Sequence, residues 1–344
     1  MKALALTGLK KLEFFEVPQP QITKDTDVLL KIAAVGICGS DIHYYDDGKV
    51  GSQVVIYPYR VGHECSATVA QIGKAVKNIK IGDKVAVEPT VVCHKCDKCK
   101  MGRENTCRNI KFLGTPGQGD GCLCEYIVMP AENCFVVTDS LTLTQAALCE
   151  PFSIGIYSVK QGQGPYSDKI AILGSGPIGL SCMTAARVKG VKKIYMTDKL
   201  DYRLAVAKKQ GADWVGNPDK NDIVKEITKL EPQGIDVVYE CAGQQSTMDE
   251  GIGILRPGGK LVLVGIPREN KIFFSIDKIR RKEITIVNIR RQNRCIEDAV
   301  EFLITGKANL DFMATHKFAF KDAIKAFDIA AGYKDGVIKA TIEF

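Results

Sequence analysis

Four cysteines with spacing suited to a metal ion lie close together in the first third of the chain. Cys93, Cys96 and Cys99 are separated by two residues each, and Cys107 follows eight positions later. Thiolates at such spacing converge tetrahedrally on Zn²⁺, and four of them leave no coordination position open for chemistry. A structural zinc lobe over residues 93–107 is therefore predicted. His94 is a further potential ligand, although four cysteines already complete the site.

A glycine-rich turn near the middle of the chain has the spacing of a phosphate-binding loop. The run Gly174-Ser175-Gly176-Pro177-Ile178-Gly179 directly follows the apolar segment 170–173. Glycines let the backbone approach a pyrophosphate, and the helix that starts there offers free N–H groups. Asp198 lies about 20 residues on, where a carboxylate accepts hydrogen bonds from ribose hydroxyls, so NAD is favoured over NADP. The positive charges of Lys199 and Arg203 nearby would instead favour NADP. The alternatives to a dinucleotide site at this turn are a flavin site, a site for another nucleotide, and a glycine turn that binds no ligand.

A dispersed set of residues could form a second metal site with an open position. Its members are Cys38, the pair His63 and Glu64, and Glu150. Thiolate, imidazole and carboxylate all bind zinc, and a site with three protein ligands keeps one position for water or substrate. The spacing alone does not establish this site, because a lone His63 is more often a hydrogen-bonded structural residue than a ligand.

The pattern of apolar residues changes along the chain and indicates two kinds of domain. Up to about residue 130, short segments of branched apolar residues at 28–35, 66–72 and 84–87 alternate with glycine turns, which predicts an irregular β domain. From about residue 153, strands alternate with helices, which predicts a parallel sheet with helices on both faces. The predicted strands there are 170–173, 193–197, 237–240 and 261–264, with helices after residue 177 and over 201–210. A helix over 296–304, a short strand near Phe318 and a helix over 322–331 are predicted to close the chain.

Length and composition exclude several classes of protein. The chain has 344 residues, of which 45% are hydrophobic and 25% charged, as in an ordinary globular protein of about two domains. Its longest uncharged stretch, 170–186, is too short and too rich in glycine to span a bilayer, and the N-terminus lacks the features of a secretory signal. A cytoplasmic protein without a membrane partner is expected. The net charge of +7 is modest, and the arginines around 280–294 accompany no nucleic-acid-binding module, so no nucleic acid is expected as a partner.

These motifs together resemble the zinc-containing medium-chain alcohol dehydrogenases, and within them the polyol (sorbitol and xylitol) dehydrogenase branch. The matching segments follow the family's order and cover nearly the whole chain: 36–44, 61–64, 87–89, the cysteine lobe, 150–151, the glycine turn, 197–198 and 264–266. The resemblance implies an α/β fold: a Rossmann domain with a doubly wound parallel sheet and an irregular β-rich, GroES-like catalytic domain. The expected boundaries are 1–151 for the catalytic domain, 152–289 for the NAD-binding Rossmann domain and 290–344 for the return to the catalytic domain. The active site is expected in the cleft between them.

The resemblance also implies a catalytic zinc besides the structural one, which makes two zinc ions per chain. Cys38, His63 and Glu64 resemble its ligands. Glu150 stands where ethanol-type members of the family have a second cysteine ligand. In polyol-type members a glutamate at that place holds the zinc-bound water or substrate oxygen, and this difference is the main reason for choosing the polyol branch.

The implied reaction is the NAD-dependent oxidation of a secondary hydroxyl of a polyol such as sorbitol, xylitol or galactitol to a ketose. Zinc binds the hydroxyl and lowers its pKa so that an alkoxide forms, and hydride then passes to C4 of the nicotinamide. Ser40 and His43 stand in the family's proton-relay positions. Asp41 is implied to orient His63, and a local capping role is an equal alternative. Further cofactor contacts implied by the resemblance are Arg203, Val264, Gly265, Ile266 and Ile289.

The substrate pocket is expected to include Tyr44 and Arg290, which match positions that contact the polyol in this branch. Arg291 departs from the animal sorbitol enzymes, which have a tyrosine after the pocket arginine. A guanidinium there offers a bidentate fork for phosphate, so a phosphorylated polyol is the second candidate substrate. A binding or structural protein on the same fold is the non-enzymatic alternative. By resemblance to the family, the chain is expected to form a homotetramer or homodimer.

Overall fold

The chain divides into two structural units in the computed structural model, which describes residues 1–164 and 167–344. Unit 1 consists of Met1–Glu150 and Ile296–Phe344, and unit 2 consists of Pro151–Cys295. Residues 290–295, which the sequence prediction assigns to the catalytic domain, thus cluster with unit 2.

The N-terminal part of unit 1 is built mainly from short strands. They are β1 (Lys2–Gly8), β2 (Lys11–Glu16), β3 (Asp27–Gly36), β4 (Lys49–Val50), β5 (Gln53–Val54), β6 (Glu64–Ile72), β7 (Lys84–Val87), β8 (Thr90–Val91), β9 (Lys111–Phe112), β10 (Tyr126–Pro130) and β11 (Cys134–Val136), with helices α1 (Gly39–Asp47), α2 (Asp97–Lys100) and α3 (Leu143–Ala147). The strands predicted at 28–35, 66–72 and 84–87 are confirmed as β3, β6 and β7. Their alternating inward residues, such as Leu30, Ile32, Ala67, Val69 and Val85, form the core of unit 1.

Unit 2 is a parallel sheet with helices between its strands. Its elements are α4 (Cys149–Gly162, which begins at the end of unit 1), β12 (Lys169–Leu173), α5 (Pro177–Val188), β13 (Lys193–Thr197), α6 (Asp201–Lys209), β14 (Trp214–Gly216), α7 (Ile223–Leu230), β15 (Ile235–Glu240), α8 (Gln245–Ile254), β16 (Leu255–Leu263), α9 (Ile276–Arg281) and β17 (Thr285–Asn288). The strand order is β14-β13-β12-β15-β16-β17, and each neighbouring pair is parallel. The order reverses between β12 and β15, where open sheets of this kind bind their ligands. Ile170 to Leu173 of β12 are fully buried, as a central parallel strand requires.

The C-terminal segment returns to unit 1. It contains α10 (Ile296–Ile304), β18 (His316–Ala319), α11 (Ala323–Ala331) and β19 (Ala340–Glu343). The last strand, β19, is not predicted from the sequence, because the prediction ends with the helix over 322–331. β19 lies between β18 and β3 in a seven-stranded sheet of order β11-β7-β6-β3-β19-β18, with β10 paired to β3. Both ends of the chain therefore share one sheet. No helix in residues 1–164 or 167–344 combines the length and apolar character needed to cross a membrane.

Candidate functional site

Three of the predicted zinc ligands converge where β3 and β6 meet. Cys38 follows β3 and precedes α1, and Glu64 opens β6 opposite Gly36 of β3. The Cys38 sulfur, a ring nitrogen of His63 and a carboxylate oxygen of Glu64 lie within 4.8 Å of one another. Thiolate, imidazole and carboxylate in this arrangement can hold a zinc ion and leave one coordination position for water or substrate.

Asp41 supports this cluster from the first turn of α1. Its Oδ2 accepts a hydrogen bond from the Cys38 backbone N–H at 3.0 Å, and its Oδ1 accepts one from Gly62 N–H at 3.1 Å. His63 Nδ1 lies 3.6 Å from Oδ1. Asp41 thus caps the helix and stands beside the ring of His63, so both roles considered for it from the sequence are compatible with the structure.

The cluster is enclosed and carries strong negative character. Asp41 is 0% exposed, Glu64 1%, and His63 and Glu150 5% each. Burial alone would lower the pKa of His63, but the Asp41 and Cys38 charges outweigh burial and hold that pKa well above its usual value. A site that stabilises positive charge on an imidazole also suits a metal cation.

Glu150 lies near the start of α4 and belongs to the same electrostatic environment. Burial raises the pKa of its carboxyl group to about 8. His63 acts in the opposite direction, while Glu64 and Glu88 raise the pKa further. The carboxyl group can therefore hold or release a proton near neutral pH, which is what a group that hydrogen-bonds a reacting hydroxyl requires.

The predicted relay residues, Ser40 and His43, and one predicted pocket residue, Tyr44, lie on α1. Ser40 and His43 are half-buried and three positions apart, so they share one face of the helix. The His43 Nδ1 lies 3.4 Å from Asp47 Oδ2. Tyr44 is buried rather than on the surface, and its hydroxyl donates a hydrogen bond to Gln53 Oε1 at 3.4 Å.

The sequence analysis missed one charged residue of this cluster. Lys339 precedes β19, is 3% exposed and donates hydrogen bonds to both carboxylate oxygens of Glu64. The only sequence signal is a single lysine inside the apolar run Val337 to Ile342. Phe112 was also missed, and its ring packs on His63 with centroids 5.1 Å apart.

The four-cysteine lobe has the geometry of a tetrahedral site. Its sulfur atoms lie within 4.8 Å of one another. Three sulfur pairs, Cys96 with Cys99, Cys96 with Cys107 and Cys93 with Cys107, are 3.6, 3.9 and 3.5 Å apart. Four sulfurs at about 2.3 Å from one zinc stand about 3.8 Å from each other. The arrangement therefore fits one zinc ion without rearrangement.

Backbone N–H groups of the lobe stabilise the thiolate of Cys93, and charged side chains of the lobe pair with each other and with neighbouring residues. The N–H groups of Lys95 and Cys96 lower the pKa of Cys93 to about 6, whereas burial raises that of Cys99 to about 12. Side chains of the lobe also contact oppositely charged or polar neighbours, and Lys98 Nζ lies 3.5 Å from Asp97 Oδ2. Arg108 donates to both oxygens of Asp97, at 2.5 and 2.9 Å, and His94 turns away to Glu132 at 2.8 Å.

The predicted cofactor residues gather along one edge of the sheet in unit 2. The glycine turn follows β12, Asp198 follows β13, Val264 follows β16 and Ile289 follows β17. Because the strands are parallel, these carboxyl ends lie on the same side of the sheet. Gly176 caps the N-terminus of α5 and Pro177 is its first residue, with Ile178 next. A Cβ on Gly179 would stand 1.8 Å from the Gly174 carbonyl oxygen, so only glycine permits this turn.

Asp198 connects this turn to the next strand. Its Oδ2 accepts a hydrogen bond from Ser175 N–H at 2.8 Å, and its Oδ1 accepts one from Leu200 N–H at 2.9 Å. The Arg203 guanidinium lies 3.8 Å from Asp198 and 3.3 Å from the position that a Cβ on Gly176 would occupy. A carboxylate and a guanidinium thus flank the entrance to the helix, where a dinucleotide phosphate would bind.

The remaining predicted contacts lie on the loops after β16 and β17. The backbone N–H groups of Val264 and Gly265 both donate to the Glu240 carbonyl oxygen, at 2.8 and 2.9 Å, and Ile266 is exposed. Ile289 N–H donates to Leu263 O at 3.0 Å. Arg290 is exposed, and Arg291 is half-buried with a left-handed φ of 55°.

Comparison with known proteins gives matches over nearly the whole chain. The family model described as the alcohol dehydrogenase GroES-like domain matches residues 24–139, and the one described as zinc-binding dehydrogenase matches 177–305. Sorbitol dehydrogenase of Bacillus subtilis (strain 168) is 38% identical over 343 residues, covering 99% of this chain and 97% of the relative. L-idonate 5-dehydrogenase of Vitis vinifera is 36% identical, with coverages of 95% and 90%. The crystal structure of galactitol-1-phosphate dehydrogenase from Escherichia coli matches with a TM-score of 0.91 at 27% identity, over 100% of each chain. The predicted fold class, a GroES-like domain with a Rossmann-type sheet, is thereby confirmed.

Proposed function

This chain belongs to the zinc-containing medium-chain alcohol dehydrogenases, in their polyol dehydrogenase branch, and from that premise we propose that it oxidises a secondary hydroxyl of a free polyol to a ketose with NAD. The same site catalyses the reverse reaction. One observation carries the proposal: a buried carboxyl group, Glu150, shares the enclosure of Cys38, His63 and Glu64. A simple alcohol would not need such an additional hydrogen-bonding carboxylate.

Two bound groups supply the chemistry: zinc held by Cys38, His63 and Glu64 would act as a Lewis acid on the substrate hydroxyl, and NAD would accept a hydride at C4. Glu150 orients the hydroxyl by accepting its hydrogen bond. Burial raises the pKa of Glu150, and the positive charge of a bound zinc ion would oppose this effect and favour the hydrogen-bond-accepting carboxylate.

The chain's own residues also offer a route for the released proton. Ser40 and His43 lie on one face of α1, and His43 is partly exposed beside Asp47. We assign Ser40 the first transfer and His43 the transfer to solvent. Tyr44 and Arg290 are assigned to the substrate pocket, because both supply hydrogen bonds that suit a polyhydroxylated chain.

Cofactor preference is assigned to the pair formed by Asp198 and Arg203. The Asp198 carboxylate would accept hydrogen bonds from the ribose hydroxyls of NAD and repel the 2′-phosphate of NADP. Arg203 stands near Gly176, where a guanidinium favours phosphate in either cofactor. The preference for NAD is therefore expected to be moderate rather than absolute.

A phosphorylated polyol is the second candidate substrate. Arg291 follows the assigned pocket residue Arg290, and the galactitol-1-phosphate dehydrogenase structure is similar over its full length. A non-catalytic protein on the same fold is the remaining alternative. It would have no reason to keep the complete ligand and relay set, Cys38, Ser40, His43, His63, Glu64 and Glu150.

Each chain is proposed to hold two zinc ions and to assemble as a homotetramer or homodimer in the cytoplasm. None of the thirteen cysteines, all of which lie in the described part of the chain, forms a disulfide. Unlinked thiols suit a reducing compartment.

The test is NADH formation by zinc-loaded protein on a panel of sorbitol, xylitol, galactitol, simple alcohols and phosphorylated polyols, with NAD and NADP in parallel. Turnover of a free polyol with NAD is expected. Activity confined to phosphorylated polyols would favour the second candidate and assign Arg291 to the substrate. Absence of turnover on the whole panel, with two zinc ions bound per chain, would contradict the enzymatic proposal.

A further inference from the structure

Glu240 is a buried carboxyl group at the carboxyl end of β15, and the proposed reaction gives it no role. The residue is 0% exposed. Its Oε1 accepts three hydrogen bonds, from Ala242 N–H, Gly243 N–H and the Thr247 hydroxyl, each at 2.8 Å. Within residues 1–164 and 167–344, its Oε2 has no hydrogen-bond partner. One oxygen of the side chain thus holds the segment that leads from β15 to α8, which we call the β15 loop (residues 241–244).

The backbone of the same residue holds a second segment, the β16 loop (residues 264–266). The Glu240 carbonyl oxygen accepts hydrogen bonds from Val264 N–H at 2.8 Å and from Gly265 N–H at 2.9 Å. Both loops lie at the carboxyl edge of the parallel sheet, because they follow neighbouring strands. Glu240 therefore fastens one loop with its side chain and the other with its main chain.

The two loops touch each other through glycine backbone, beside the Glu240 carboxylate. A Cβ on Gly265 would stand 2.4 Å from Gly243 N and 2.9 Å from Glu240 Oε2. A Cβ on Gly243, which has a left-handed φ of 67°, would stand 2.6 Å from the Ile266 carbonyl oxygen. With backbone packed on backbone there is no flexible side chain to absorb a shift, so a displacement of the β15 loop moves the β16 loop as well.

The glycine turn after β12 is held by a separate set of hydrogen bonds. Gly174 N–H donates to the Thr197 carbonyl oxygen at 2.9 Å, and the Ser175 hydroxyl donates to the same oxygen at 3.1 Å. Ser175 N–H donates to Asp198 Oδ2 at 2.8 Å. These bonds run to β13 and the residue after it, so the support of the turn does not depend on the Glu240 side chain.

We propose that Glu240 is a positioning residue for the cofactor, which fixes the β15 and β16 loops as the support for the nicotinamide half of NAD. This inference rests on the proposed function, because it requires NAD at the carboxyl edge of the unit 2 sheet. A dinucleotide lies across the point where the strand order reverses, with one mononucleotide on each half of the sheet. Asp198 follows β13 and is assigned to the adenosine half. The loops after β15 and β16 are then left for the other half.

The test measures binding rather than turnover. The Kd of NADH is measured by its fluorescence and the Kd of 5′-AMP, which represents the adenosine half, by calorimetry. Glu240→Ala removes the acceptor of the loop N–H groups. Glu240→Gln retains one acceptor oxygen and places its amide nitrogen where Oε2 makes no hydrogen bond. Glu250→Gln is the matched control, because Glu250 is a half-buried carboxyl group on α8 whose Oε2 likewise has no partner in the described chain, and it belongs to neither loop.

Glu240→Ala is expected to raise the Kd of NADH by about 10- to 100-fold, because two N–H groups of the β15 loop lose their acceptor and the loop shifts. The Kd of 5′-AMP should change by less than about threefold, since the glycine turn keeps its own hydrogen bonds. Glu240→Gln should recover most of the affinity for NADH, and Glu250→Gln should bind both ligands as the wild type does.

Three results would overturn the inference: an unchanged Kd of NADH in folded Glu240→Ala, an equal loss of affinity for NADH and 5′-AMP, or a loss in Glu240→Gln as large as in Glu240→Ala. The second result would mean that Glu240 only stabilises unit 2. If Glu240→Ala does not fold, Glu240→Asp takes its place, because it withdraws the carboxylate by one carbon–carbon bond, ~1.5 Å, and keeps its charge. That variant should lose about tenfold in affinity for NADH alone, and wild-type affinity would contradict the inference. A wild type that binds neither NADH nor NADPH would instead overturn the proposed function.

Discussion

Glu231 joins the first two strands of unit 2, and removing its charge should weaken this unit by a predictable amount. The side chain follows α7 and is 4% exposed. It accepts hydrogen bonds from Lys169 at the start of β12, from Lys193 at 2.9 Å and from the Tyr195 hydroxyl at 2.5 Å. The glycine turn and Asp198 lie at the opposite ends of these two strands, so Glu231 supports the frame of the cofactor site.

The magnitude follows from the pKa of this carboxyl group. Burial acts to raise the pKa of Glu231, but the hydrogen bonds from Lys169, Tyr195 and Lys193 outweigh burial and lower it from 4.5 to about 2. Such a shift corresponds to about 3 kcal/mol of folding free energy. Because the folded-state pKa is depressed, this contribution is fully present above about pH 4.5 and is lost as the pH falls towards 2.

The assay is urea unfolding of the wild type and Glu231→Gln, followed by tryptophan fluorescence. Trp214 is the single tryptophan of the chain, and its ring lies 6.3 Å from that of Tyr195, so the signal reports unit 2. The variant should be less stable by about 3 kcal/mol at pH 7, and by about half of that at pH 3. Glu301→Gln is the control, because Glu301 and its partner Lys307 are each 54% exposed, and should change stability by less than about 1 kcal/mol. Equal stability of wild type and Glu231→Gln at pH 7, or a difference that does not shrink in acid, would refute the reasoning.

Three further predictions concern the proposed sites. Glu150→Gln should lower kcat on polyols by about 100-fold or more while both zinc ions stay bound; full turnover would remove the role assigned to Glu150. Cys96→Ser should lose one zinc equivalent per chain and lower the temperature of thermal unfolding, as measured by metal analysis and calorimetry, and a variant with full zinc content and an unchanged Tm would contradict a structural site. Asp198→Ala removes the acceptor of the Ser175 and Leu200 N–H bonds and should reduce the ratio of kcat/KM with NAD to that with NADP by about tenfold or more. An unchanged ratio would contradict the role of Asp198 as the group that discriminates between the two cofactors.

The parts of the fold that could be predicted are those whose signal is local. In unit 2, β12, β13 and α5 lie where the apolar segments and the glycine turn predict them. The cysteine lobe is equally local, since its four ligands lie within one short segment and their spacing alone predicts a tetrahedral site. Recognition of the family from such motifs is confirmed by the comparisons.

Contacts between distant segments could not be predicted in this way. Lys339 and Glu64 are 275 residues apart, and they meet only because β19 inserts between β18 and β3. A strand of four residues that follows a helix and a glycine turn has too weak a pattern to be distinguished from a loop. Without that strand, Lys339 reads as an ordinary surface lysine.

Asp41 shows why the role of each residue in a site of dispersed residues is hard to assign from sequence, even when the members of the site are known. From the sequence, capping and orientation of His63 are competing roles for this carboxylate. In the structure its Oδ2 accepts a hydrogen bond from the N–H of Cys38, which is a candidate ligand, and its Oδ1 accepts one from Gly62 N–H, next to the candidate ligand His63. Oδ1 also lies 3.6 Å from His63 Nδ1. The capping bond is thus itself part of the support for the metal site. Substituting Asp41 would therefore disturb Cys38 and His63 together, so the effect of the substitution on activity could not be assigned to helix capping or to orientation of His63 alone.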